Sequence, residues 1–450
     1  MQNQAQAEHP TTRPQSARSP LPSTRPVQAV IVGAGHRSLL YASYAQKHPD
    51  ELQIVGVVEP DPVRRGLTAQ RFGMADDMLF ASVEELIAAP KRADAAINGT
   101  MDSLHVTTTI PLLRAGYDVL LEKPIGVSEE EVLGLYETAQ THGRTVMICH
   151  VLRYAPFYAE IRKRIAAGDI GDIIAIQTEE NVSYHHMATA FVRGKWSNVR
   201  EGGSSMLMAK CCHDLDLIAW MKGDVRPTKV SSFGSLFQFR PEKAPEGSGT
   251  RCLADCSIEN SCTYSAKKMY IEQKLWGAYA WDNMHLGQTP SEEEKLESLR
   301  TDNPYGRCVW RSGNDVVDHQ TVIVEFADGS TASHNLTGAT SKPCRTIHIT
   351  GTKGEIVGTM EDGSFAVRHP DARAGHTFKE EKVELNVSRD MHGGGDLRLV
   401  ADFIRTLRGE TPSLSSTSLD KSIYGHQIGF AADRARLESR VVEIADLARG

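Results

Sequence analysis

The chain has 450 residues, 40% of them hydrophobic and 24% charged, with a formal net charge of −7 at pH 7. That length supports two domains and a substantial core, and an acidic balance with no basic run interleaved with aromatics excludes nucleic acid as a partner. No apolar stretch approaches the roughly 18 residues of a membrane span, residues 1–26 lack the apolar segment of a signal peptide, and eight cysteines do not make a disulfide scaffold in so long a chain, so the expected location is cytoplasmic, with no membrane partner.

Residues 1–26, rich in Gln, Pro, Ser, Thr and Arg, read as a disordered tail. The first element is the apolar run Gln28-Ala29-Val30-Ile31-Val32, which ends in Gly33-Ala34-Gly35 and opens into His36-Arg37-Ser38-Leu39-Leu40-Tyr41 with helical spacing. Strand, turn and helix in that order make a dinucleotide cradle. Gly33 allows the tight turn, and Gly35 lets the backbone approach a pyrophosphate at the helix N-terminus. Ser38 stands where such a turn usually has its third glycine. A second apolar run ends at Glu59, 24 residues beyond Gly35 and close to the spacing of about 20 at which an acid meets the ribose hydroxyls. A carboxylate there repels a 2′-phosphate and favours NAD, while the nearby Arg64 and Arg65 leave NADP open.

Strand and helix signals then alternate to His150. Asp61-Pro62 reads as N-cap and first helical residue, with Gly73 closing that helix. Ser82-Val83-Glu84-Glu85 and Ser128-Glu129-Glu130-Glu131 read as capping boxes, and short apolar strands are expected over 95–97, 118–121 and 145–149. The alternation predicts a parallel sheet covered on both faces, with ligand at the carboxyl ends of its strands. Three segments stand at those ends: Gly33 to Ser38, Thr100-Met101-Asp102-Ser103-Leu104-His105, and Glu122-Lys123-Pro124-Ile125.

Past His150 the pattern changes. A helix is expected over 153–168, strands over 173–178, 229–237, 321–326, 331–336, 346–350 and 355–359, and late helices over 396–407 and 421–447. Asp328-Gly329 is a hairpin turn signal. A further helix, from Met206 to Trp220, carries Ala209, His213 and Asp216 on one face with Lys210 beside it.

The succession of GAGHRS, an acid after the second strand, TMDSLH, EKP and a helix with His-x-x-Asp resembles the Gfo/Idh/MocA family of NAD(P)-dependent sugar and polyol oxidoreductases, from Val27 to the C-terminus. The resemblance implies an α/β fold: an N-terminal Rossmann doubly wound parallel sheet over 27–150, then an α+β domain over 151–450 with a large, mostly antiparallel open sheet. That sheet's open face implies a homodimer or homotetramer. Gly33, Gly35, His36, Arg37, Glu59, Thr100, His105, Glu122 and Lys123 would hold NAD. Lys123 would lie near the nicotinamide and the reacting hydroxyl, presented by Pro124, which is often cis. An ammonium there can hydrogen-bond an alcohol and stabilise developing alkoxide charge. His213 would accept the hydroxyl proton, as an imidazole with a pKa near 6.5 can do at neutral pH, and Asp216 could orient it. The family helix reads Asp-x-x-x-His-x-x-Asp, but its first aspartate is Ala209 here, so Lys210 or another group would supply the missing interaction.

Tyr184, His186, Arg193 and Trp196 suit the wall of a hydroxylated ring, with Lys210 and Asp216 as further substrate contacts; solvated loop residues are the other reading. A cysteine-rich insertion at about 240–315 carries Cys252-x3-Cys256-x5-Cys262 and Cys308. Clustered cytosolic thiols can bind a structural zinc, or they can remain unliganded and partly buried, and this spacing is not that of a zinc ribbon. Asp318 or His319 could reach the pocket and compensate for Ala209, or could simply begin a strand. The expected activity is hydride transfer between nicotinamide and a secondary hydroxyl of a carbohydrate, sugar derivative or cyclitol. The alternative, also within the family, is a redox-neutral NAD-dependent glycosidase working through a transient keto sugar. Retention of Lys123 and His213 counts against a third reading, a non-enzymatic sensor.

Overall fold

A computed structural model describes residues 20–282, 284, 289–385 and 391–445. Among these residues the chain forms two sheets. The first has six parallel strands: β1 (Val27–Val32), β2 (Leu52–Val58), β3 (Leu79–Phe80), β4 (Ala95–Asn98), β5 (Asp118–Leu121) and β6 (Val146–Ile148), in the order β3-β2-β1-β4-β5-β6. Every residue of β4 and β5 is buried, as expected for strands with helices on both faces. The order reverses between β1 and β4, and the loops after those strands open the crevice in which such sheets bind ligand.

Local signals account for the helices around this sheet. The Asp61 carboxylate accepts from the N–H groups of Val63 and Arg64, Pro62 takes the first turn, and Gly73 ends the helix at φ 66°. At Ser82 and Ser128 the hydroxyl accepts from the glutamate N–H three residues on, but that glutamate returns to the N–H of Ala81 or Val127, one residue before the cap. One face of the sheet is also covered by the helix Gly395–Leu407, whose Leu399, Phe403 and Ile404 share a core with Ile31 and Tyr41. A helix read with the second domain thus completes the first. The disordered tail expected to residue 26 lies outside the described residues as far as 19. Beyond that, Leu21 N–H donates to Leu407 O (2.9 Å) and Arg25 pairs with Asp94 (2.6 Å).

The second sheet has nine strands: β7 (Ile173–Ser183), β8 (Pro227–Ser235), β9 (His319–Phe326), β10 (Thr331–Thr340), β11 (Cys344–Gly351), β12 (Glu355–Thr359), β13 (Ser364–Pro370), β14 (Phe378–Glu384) and β15 (Val442–Glu443). They run β14-β13-β12-β11-β7-β10-β9-β8-β15, antiparallel except for β7 beside β10. Strict alternation in β9 buries Gln320, Val322, Val324 and Phe326 and exposes their neighbours. The buried face packs on the helices Met206–Lys222 and Leu419–Glu438. The last helix stops at Glu438 rather than at 447, because Ser439 turns left-handed (φ 53°) and the chain then adds β15. The helix expected over 153–168 spans Pro156–Ala166 after a 3₁₀ turn. β14 (Phe-Lys-Glu-Glu-Lys-Val-Glu) is a charged edge strand whose apolar signal is too weak to read from sequence.

Candidate active site

At the end of β1, Gly33 takes φ 79°, and a Cβ there would lie 3.1 Å from Gly99 O and the Thr100 backbone. The turn is pressed against the loop after β4. Ser38 fits as the third small residue because Gly99 leaves it room: a Cβ on Gly99 would stand 2.3 Å from Ser38 Oγ. Gly35 caps the helix that begins at His36, which is exposed at its first position. Glu59 follows β2 and accepts from Ala34 N–H (2.8 Å) and Asp61 N–H (3.0 Å), so the acid sits against the glycine turn. Both nearby arginines are engaged: Arg64 pairs with Asp282 (3.2 Å), and Arg65 donates to the main-chain oxygen of Glu59.

Arg37 and Glu122, both expected at the cofactor, meet each other. Arg37 donates to Glu122 (2.6 Å) and Asp396 (2.6 Å), Tyr41 hydroxyl donates to the same Glu122 oxygen (2.7 Å), and the other Glu122 oxygen accepts from Lys123 N–H (2.7 Å). Burial raises the Glu122 carboxyl, but Arg37 and Lys123 outweigh it and hold it below its ordinary value. His105 braces two loops, with Nδ1 2.6 Å from Pro124 O and Nε2 3.1 Å from Thr100 O. The Thr100 hydroxyl donates to Asn98 (3.0 Å), and the Lys123–Pro124 bond is cis.

This support directs Lys123 across the domain junction. Its Nζ donates to Ala209 O at 2.7 Å, one helical turn before His213. Where the family pattern has an aspartate, a main-chain carbonyl holds the lysine. Burial lowers the Lys123 pKa, but Cys212, Glu122 and Asp102 outweigh it, and the ammonium is favoured. His213 is buried, with its ring edge-on to His150 at 5.9 Å. His150 lies 5.5 Å from His426, whose Nε2 accepts from Ile125 N–H (2.8 Å).

Asp216, expected to orient His213 or to contact substrate, is engaged by Arg153. Both its oxygens accept from the buried Arg153, at 2.7 and 2.6 Å. Lys210 pairs with Glu180 (3.3 Å), which pairs with Arg345 (2.6 Å), which in turn pairs with Asp214 (3.0 Å). Helical spacing placed these residues correctly on the helix but could not name partners on β7 and β11. Asp318 and His319 do not compensate for Ala209 either: Asp318 accepts from Phe237 and Gln238 N–H and from its neighbour His319.

Aromatic side chains gather where β7 ends. His186 stacks on Trp276 (4.4 Å, 28°), Trp276 Nε1 donates to His185 (2.8 Å), and Trp196 Nε1 donates to Asp102 (3.1 Å). Tyr279 lies 6.2 Å from Trp196 and 5.5 Å from Trp276, and the Lys123 ammonium acts on both His186 and Tyr279. Tyr184 packs edge-on to Tyr264 at 6.1 Å. Arg193 is turned away from this wall into the excursion between β8 and β9, where it donates to Arg307 O (2.7 Å) and Tyr264 O (2.8 Å). Trp276 and Tyr279, which belong to that excursion, were missed in the sequence; their signal is the aromatic run Trp276-Gly277-Ala278-Tyr279-Ala280-Trp281. Trp276 holds φ 56°, a rare conformation for a bulky residue, of the kind that accumulates at binding sites.

Sequence models of one oxidoreductase family match nearly the whole chain: the NAD-binding Rossmann fold over residues 27–150 and the C-terminal alpha/beta domain over 162–444. YteT of Bacillus subtilis is 23% identical over 385 residues, 81% of this chain and 85% of that protein. Inositol 2-dehydrogenase of Corynebacterium glutamicum is 24% identical over 298 residues, covering 65% of this chain and 78% of that one. Levoglucosan dehydrogenase in complex with NADH superposes with a TM-score of 0.67 at 17% identity, over 94% of this chain and all (100%) of that one, and so shares its fold. Two sheets in the family's arrangement, the glycine turn, the cis-proline lysine and the histidine one turn beyond its contact place the chain in a known group: it belongs to the Gfo/Idh/MocA oxidoreductase family.

Proposed function

We propose that the protein is an NAD-dependent dehydrogenase acting on a secondary hydroxyl of a sugar, sugar derivative or cyclitol. The observation that carries the reading is the Lys123 ammonium 2.7 Å from Ala209 O, one turn from His213, beneath the wall of His186, Trp196, Trp276 and Tyr279. NAD, when bound, takes up the hydride. Lys123 then hydrogen-bonds the reacting hydroxyl and stabilises negative charge developing on its oxygen, while a His213 ring nitrogen receives the proton. The aromatic wall holds the ring and keeps water out. Gly33 and Gly35 present the backbone to the pyrophosphate. Glu59 receives the ribose hydroxyls, and the engagement of Arg64 and Arg65 leaves a 2′-phosphate without a ready cation, which supports NAD over NADP. We read the exposed face of the nine-stranded sheet, with Phe233 and Ile323 uncovered, as the contact in a homodimer or homotetramer.

The test is to denature purified protein, identify any released nucleotide, and assay native enzyme on free sugars, polyols and nitrophenyl glycosides with and without NAD. NADH accumulating in step with oxidation of a free sugar or polyol is the expected result. Retained NAD with glycoside cleavage and no net NADH would overturn it in favour of the redox-neutral glycosidase.

A further inference from the structure

We propose that Cys252, Cys256, Cys262 and Cys308 form a mononuclear zinc site that fastens the excursion between β8 and β9. The four side chains, separated widely in sequence, line one cavity of about 10 Å³ beside Arg193 and Trp310. That space suits a single ion. The two ends of the set are tied by backbone pairing: Cys252 N–H donates to Gly306 O (2.9 Å) and Cys308 N–H to Thr250 O (2.8 Å). All four cysteines are free of disulfides.

Two further features surround the sulfurs. Main-chain N–H groups two residues on bond to two of the sulfurs, Tyr264 to Cys262 (3.3 Å) and Trp310 to Cys308. Burial raises both thiols, and these donors offset part of that rise. The second feature is charge. Arg193 is buried and donates to two carbonyls and, at 3.5 Å, to Cys252 Sγ, and among the described residues no carboxylate pairs with it. A buried cation without a counter-ion is costly. Four thiolates on Zn²⁺ carry the net negative charge that Arg193 lacks, with the thiol protons released to solvent on binding.

The sulfurs stand around the cavity wall rather than closed on its centre. The group of three donors that does lie within 4.8 Å among the described residues is Cys211, Asp214 and His334, where Arg345 already supplies the positive charge. Closing the site on an ion must draw the sulfurs together, and Cys256 and Cys262 are the two that are only half-buried. The site matters because the excursion carries Trp276 and Tyr279 into the pocket and Arg193 joins it to the segment bearing His186. It does not depend on the dehydrogenase reading.

Metal analysis of full-length protein purified without chelator tests the proposal. About one zinc per chain is expected, retained on dialysis and released to a chromogenic chelator as a mercurial caps the thiols. Cys252→Ser with Cys308→Ser should lose the metal, and Cys344→Ser should keep it. Native-sequence apoprotein loaded with Co²⁺ should show a thiolate-to-cobalt charge-transfer band, which keeps the test open where the double variant does not fold. Metal-free protein with no such band overturns the site. Zinc that survives the mercurial places the metal elsewhere, and iron with acid-labile sulfide replaces the single ion with a cluster; either also overturns it.

Discussion

Replacing Asp216 by alanine separates a structural from a catalytic role for the second acid of the family helix. Asp216 accepts two hydrogen bonds from Arg153, whose other donors reach only the neutral carbonyls of Ser416 (2.8 Å) and Lys421 (2.9 Å). The side chains of both partners are 1% exposed or less, so the variant leaves a guanidinium buried without its counter-ion. Breaking a buried pair from one side costs about 3–5 kcal/mol, or about 10²- to 10⁴-fold in the folding equilibrium. Replacing both partners by apolar residues of similar size, Arg153→Met with Asp216→Leu, removes the uncompensated charge and should recover most of that loss. Urea unfolding and pulse proteolysis read both variants against the native protein, with NADH affinity as the control for the cofactor domain. A loss below about 1 kcal/mol in Asp216→Ala, or lost turnover at unchanged stability, would refute the structural assignment.

Other consequences can be measured independently. Gly99→Ala drives a methyl group into Ser38 Oγ and should weaken dinucleotide binding and cost about 1–3 kcal/mol, with Ser38→Gly restoring both; additive losses in the double variant would refute the packing argument. Burial pushes His426 down to about 3 and His150 well below its ordinary value, so below about pH 6.5 the unfolded chain binds protons that the folded chain refuses. Stability should therefore be complete above that pH and fall with acidification by about 1.4 kcal/mol per pH unit per histidine. His426→Gln should shallow the profile, and an unchanged slope would contradict the assignment. Trp276→Ala should raise KM for a ring substrate about tenfold or more with kcat little changed, and Trp276→Phe should restore it; a change confined to kcat would remove Trp276 from the substrate wall.

The parts of this molecule that were legible in the sequence are those fixed by short-range rules. The turn at Gly33 and Gly35, the cap at Asp61 and the alternation of β9 each follow from residues within a few positions of one another. What the sequence could not supply was partners. Arg37 and Glu122 both read as cofactor contacts, yet they meet each other, because an 85-residue separation closes only when the sheet forms. Asp216 and Lys210 stand on the expected helix, but Arg153 and Glu180 claim them from other elements. Arg193 has the chemistry of a substrate residue and is consumed by carbonyls of a distant excursion. That excursion also brings in Trp276, which stacks on His186, and Tyr279, which feels the Lys123 ammonium, and no periodicity could give those places. The helix Gly395–Leu407 is amphipathic in either domain, and only the packed core assigns it to the first sheet.

The most direct test of the account is the rate of NAD⁺ reduction with the best sugar or polyol of the panel, native enzyme against Lys123→Met. The ammonium is the group placed to stabilise charge on the reacting oxygen, so kcat/KM should fall by at least about 100-fold while NADH affinity stays at the native value. A Lys123→Met enzyme that reduces NAD⁺ at the native rate would contradict it.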